Sequence, residues 1–138
     1  MRHPLHPMFV HFPIGLWTTS VAWDALALGL GSASWWPLSY WCLAAGVLMA
    51  LPAIGTGFVE FVRIERDHPA AKLAVWHASA MSGAAVLFLG SLLLRRPASA
   101  PESVPGALAL SLAGLACLAA GGVLASRLVH GHGRVGMK

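Results

Sequence analysis

His3-Pro4-Leu5-His6-Pro7-Met8-Phe9-Val10-His11-Phe12-Pro13 places three imidazoles and three prolines at the threshold of an apolar helix. What that stretch borders decides the fold. Across its 138 residues the chain is 57% hydrophobic and only 10% charged, far from the roughly one-quarter charged residues usual for soluble domains. The opening stretch therefore reads as a membrane boundary. Histidine is costly in lipid and is the commonest transition-metal ligand, so three at that boundary call for a cofactor or a tight hydrogen-bond network.

Working outward, four stretches are long enough to cross a hydrocarbon layer of about 30 Å. They lie at about 8–31, 37–62, 69–94 and 105–129 within a single transmembrane domain, 1–138. Arg2 ahead of an apolar run ending near Gly31 to Ala33 has the outline of a secretory signal, but Asp24 interrupts the run. We read it as a helix of the bundle. Short gaps make neighbouring helices antiparallel. The expected fold is all-α, an integral membrane four-helix bundle running up-down-up-down. No repeat at fixed period is visible.

Four crossings put Arg2, Arg63, Arg66, Lys72, Arg127, Arg134 and Lys138 on one side and Arg95 and Arg96 on the other. The positive-inside rule makes the first side cytoplasmic, giving a multi-pass membrane protein with both termini in the cytoplasm. Trp35, Trp36, Tyr40 and Trp41 fall at the opposite interface as headgroup anchors. The basic residues sit at segment ends and form no face interleaved with aromatics, so nucleic acid is excluded as a partner. The expected partners are the lipid bilayer, a quinone or redox protein, and a second copy of the chain. Cys42 and Cys117 read as small packing residues at different depths.

On this topology all seven histidines share one side, although they come from three separate segments. His11 lies about one turn inside helix 1 and His77 about two turns beyond Pro69, roughly 12 Å along the axis. Small neighbours surround His77, and Gly15 stands one turn from His11, leaving room for a flat macrocycle. The leading expectation is a cytochrome b-like protein holding haem b through His11 and His77, transferring electrons near the cytoplasmic face. His6, His132, Glu60 and Gly15 would tune or flank it, and cationic residues at that surface would meet the propionates.

A second reading is a non-haem copper, zinc or iron site built from His6, His11, His77 and His132, with His3, His68 or Glu60 as further donors. A third is a structural subunit whose histidines cap and pack, the plainer account of His3, His68 and His130. Asp24 is an intramembrane acid that needs a partner, which a neighbouring helix can supply through Ser or Thr. For Glu60, pairing with Arg63 three residues on is the simpler explanation. No nucleophile-base pair, phosphate loop or paired carboxylates supports hydrolysis or group transfer, so any enzymatic role would be redox.

HPLHPMFVHFPIGLW, Asp24, LPAIGTGFVEF, HPAAKLAVWHA and GGVLASRLVHGHGRVG together resemble the bacterial membrane-protein family named domain of unknown function 2231. The resemblance covers almost the whole chain. It implies a four-helix integral membrane protein, sometimes joined to Rieske-type iron-sulfur or cytochrome modules, and hence a redox setting by analogy. It carries His3, His6, His11, Asp24, Gly55, His68, His77 and His132. His130 and Glu60 depart from its pattern.

Overall fold

The computed structural model describes residues 5–64, 68, 70–96 and 105–132, with the side chains of 130–132 left aside. Among these residues four helices run in order: α1 (Leu5–Gly29), α2 (Trp36–Phe61), α3 (Ala71–Leu94) and α4 (Pro105–His132), with a short 3₁₀ turn, Ala33–Trp35, ahead of α2. The fold is all-α, as the four apolar stretches imply. The first helix begins at Leu5, ahead of the expected residue 8, because Pro7 sits in the first turn, where a missing N–H leaves no bond unmade. Pro13 and Pro52 lie inside continuous helices.

α1 ends where Gly31 takes the left-handed conformation at φ 58°. The N–H of Ser32 then donates to Ala27 O and that of Gly31 to Leu28 O. Both bonds satisfy carbonyls the helix end would orphan, and glycine adopts that φ without steric cost. The chain reverses there, and Pro37 in the first turn starts α2. α1 packs chiefly on α2 and α3 chiefly on α4, so the bundle is two hairpins set against each other.

Ala33–Phe61, Ala71–Leu94 and Pro105–Val129 are each long and apolar enough to cross a membrane. α1 is diluted by His, Pro, Thr and Asp, yet at 25 residues and about 1.5 Å per residue it has the reach of its antiparallel partner.

The core is a short aromatic stack. Trp17 of α1 and Phe88 of α3 lie with ring centroids 4.7 Å apart and planes 15° from parallel. Each ring also presses on a glycine of its own hairpin. A Cβ at Gly46 would stand 2.5 Å from the Trp17 ring, and one at Gly114 would stand 2.9 Å from Phe88. Glycine is required at both places because the rings occupy the space of a side chain. Such close approach is how helices associate in lipid, where burial of apolar surface gives little drive.

These contacts expose a repeat that the sequence conceals. The His6-to-Trp17 spacing on α1 equals the His77-to-Phe88 spacing on α3, and Asp24 and Arg95 each follow their aromatic by seven residues. On the partner helices, Ala53 follows Gly46 by the same interval as Gly121 follows Gly114. The two hairpins are equivalent in construction. The contacts show it more plainly than the sequence, because several equivalent positions hold different residue types: Trp against Phe, Asp against Arg, Ala against Gly.

Candidate functional site

Two polar sites lie at opposite ends of this frame. At the first, Asp24 of α1 is 4% exposed and Arg95, just past the end of α3, is 3% exposed. Arg95 Nη1 and Nη2 donate to Asp24 Oδ1 and Oδ2, each at 2.8 Å, in a two-pronged ion pair. Nη1 also donates to Ser39 Oγ of α2 at 2.8 Å and Nη2 to Ser111 Oγ of α4 at 2.9 Å. Nε donates to Ser91 Oγ at 3.0 Å. Every N–H of the guanidinium is therefore used.

The serines close the network. Ser39 Oγ donates to Asp24 Oδ1, Ser91 Oγ donates to Ala107 O at 2.7 Å, and Ser91 and Ser111 share a bond of 2.8 Å. Trp36 lies beneath, its ring 4.5 Å from the guanidinium carbon, and its Nε1 donates to Arg96 O at 3.1 Å. All four helices thus meet on one cation. A fully satisfied charge of this kind holds elements together and leaves no valence for a substrate.

Several expectations change here. Arg95 is a buried cation neutralised by Asp24, where the sequence reads as a free surface charge. Trp36 is fully buried beneath it, whereas Trp41, at 64% exposure, keeps an anchor's position. The partner expected for Asp24 through a serine is Ser39, joined by the arginine. A signal for Arg95 was present: Ala84, Phe88, Ser91 and Arg95 form one helical stripe, so Arg95 ends the inward row of α3.

At the other end stand the histidines. His6 of α1 is half-buried against α2, with Nδ1 2.9 Å from Ala53 O. A Cβ at Gly57 would meet the His6 ring at 2.8 Å, so this glycine admits the imidazole to the carbonyl. His77 of α3 makes the matching bond, Nδ1 to Gly121 O of α4, also 2.9 Å. A carbonyl only accepts, so Nδ1 carries the proton in both rings. Nε2 is then the lone-pair nitrogen, and neither has a hydrogen-bond partner among the described residues.

His11 differs. It lies on the exposed face of α1, and its Nδ1 bonds to Pro7 O one turn earlier on the same helix. The expected His11 and His77 pair is therefore not brought together. Those two residues lie on faces turned different ways, because His11 is out of step with the inward row Pro13, Trp17, Ser20 and Asp24. Gly15 is exposed beside His11, with nothing near it, and flanks no interior site.

His68 accepts the Ala70 N–H at 3.1 Å, a capping role at the start of α3. Glu60 and Arg63 are both exposed and form no ion pair with each other. His3 and the side chains of His130 and His132 lie outside the described residues. Among the described residues no group of three or more His, Cys, Asp or Glu gathers as a metal site. Cys42 and Cys117 are free thiols.

Between the hairpins, α2 and α3 flank a cleft of about 210 Å³ floored by Trp17 and walled by Val47, Leu51, Ile54, Val86 and Leu89. Its lining is hydrocarbon, suited to lipid chains and to no polar chemistry. Among the described residues, the exposed cations in the histidine half are Arg63, Lys72 and Arg127; at the other end Arg96 is exposed, since Arg95 is buried and paired.

The profile of a family described as predicted membrane protein (DUF2231) matches residues 2–138. No curated protein and no solved structure matches the chain.

Proposed function

This chain belongs to the DUF2231 family of membrane proteins, and from that premise we propose that it is a membrane-embedded electron carrier holding haem b at the histidine end of its bundle. One observation carries the reading. In each hairpin an imidazole donates Nδ1–H to a carbonyl of the neighbouring helix and leaves Nε2 open. Haem- and metal-ligating histidines are prepared in this way, since the carbonyl fixes tautomer and ring orientation and raises the basicity of the free nitrogen.

The donor set fits such a group: two imidazoles, each with Nδ1–H bonded and Nε2 without a hydrogen-bond partner among the described residues. Small residues lie beside them, with the His6 ring seated over Gly57 and Met81 over Gly121. Haem held there would supply a one-electron iron couple. This chain's residues position the imidazoles, exclude water through the lipid-facing helices, and offer Arg63, Lys72 and Arg127 toward propionate carboxylates. The excess of exposed cations in this half supports its placement at the cytoplasmic face. A non-haem metal centre gains no support from the described residues, which hold no group of three or more His, Cys, Asp or Glu.

The test is an absorption spectrum of the purified protein, before and after addition of hemin in detergent. A Soret band that shifts on reduction with dithionite is the expected result. A folded protein that stays colourless with excess hemin overturns the proposal and leaves the histidine-carbonyl bonds as packing contacts.

A further inference from the structure

Taking the haem reading as given, we infer that its two axial ligands are His6 and His77, the equivalent residues of the two equivalent hairpins. The argument is a row of facing residues. α1 and α3 run in the same direction and meet along matched positions: Asp24 pairs with Arg95 at 2.8 Å, and Trp17 stacks on Phe88 with centroids 4.7 Å apart. The positions between these pairs match as well, Ser20 with Ser91. The next steps of the same row are Pro13 with Ala84, both buried, and then His6 with His77.

Each histidine stands seven residues before that small pair, two helical turns on, which brings it back to the same inward face. The two are also held alike, by Nδ1–H bonds of 2.9 Å to Ala53 and Gly121, themselves matched positions of α2 and α4. An aromatic pair and an ion pair fill the row higher up; at its lower end it offers two lone-pair nitrogens, one from each half of the chain. A planar iron tetrapyrrole takes two axial nitrogens on opposite faces, so a ligand from each hairpin is what it requires. Pro13 and Ala84 are the smallest pair in the row apart from the serines, and both are fully buried above the two imidazoles.

The choice of His6 over His11 is what the experiment decides. Wild-type, His6→Ala, His77→Ala and His11→Ala proteins are purified in detergent, loaded with hemin, and compared by haem stoichiometry and by electron paramagnetic resonance of the ferric form. The wild type is expected to be low-spin and six-coordinate. His6→Ala and His77→Ala are each expected to lose haem at least tenfold or turn high-spin, and free imidazole is expected to restore the low-spin signal. His11→Ala is expected to match the wild type. Circular dichroism of each variant keeps loss of haem separate from loss of fold, and His6→Met, which retains an axial donor, should keep haem with a raised midpoint potential. A low-spin His6→Ala protein together with haem loss in His11→Ala overturns the pairing while the haem reading stands. A wild type that takes up no haem overturns the haem reading itself.

Discussion

At one end of the bundle Arg95 spends all five N–H groups on Asp24 and three serines. At the other, His6 and His77 each commit one ring nitrogen and leave the second open. The contrast separates a place that holds the fold from a place that can hold something else. Both ends carry polar groups where lipid makes them expensive. Saturation alone tells them apart: a polar group whose valences are all used inside the protein contributes to architecture, and one with a valence left over is available for chemistry.

The largest effect is expected at the saturated end. Arg95→Met leaves Asp24 buried without a counter-charge and should cost about 3–5 kcal/mol, read as a lower melting temperature in detergent or failure to recover monodisperse protein. Asp24→Leu combined with Arg95→Met removes both charges and should regain most of that loss. If the double variant is no better than the single one, the network does more than balance charge.

Next in size are the glycines behind the aromatic stack. Gly46→Ala puts a methyl group where the Trp17 ring lies, and Gly114→Ala does the same to Phe88. Each should cost about 1–3 kcal/mol by overpacking. Trp17 fluorescence should shift in both, because its ring is sandwiched between Gly46 and Phe88. An unchanged spectrum and melting temperature would mean that the hairpins part easily at mid-bundle.

The smallest effect on stability belongs to the histidines. Losing one imidazole-to-carbonyl bond within a membrane bundle should cost roughly 0.6–1.7 kcal/mol, so His6→Ala and His77→Ala should stay folded in detergent by circular dichroism. A penalty as large as that of Arg95→Met would erase the contrast between the two ends and make the histidines structural.

Helix number, order and antiparallel pairing were legible in the sequence, because twenty-residue apolar runs punctuated by Gly31, Pro37 and Arg95 leave little freedom. That Asp24 needs a partner was legible too, since an acid in lipid demands one. Its identity was not, because Arg95 stands at a helix end, where a cation ordinarily reaches the headgroups, and only the stripe Ala84, Phe88, Ser91 points it inward. That His6, His11, His68 and His77 lie in one half of the bundle was legible, while which of them turns inward was not. Choosing between His6 and His11 requires the phase of α1, and Pro7 and Pro13 so close to the start of that helix obscure where it begins and which way it faces.

The Asp24 and Arg95 bond has one more consequence, which follows from the likeness of the two hairpins. Units built so alike could also join with their own kind, first half to first half in a neighbouring molecule. Such a union would bring two carboxylates face to face at the saturated end, and a union of second halves would bring two guanidiniums together. Opposite charge at matched positions makes each half accept the other and refuse itself.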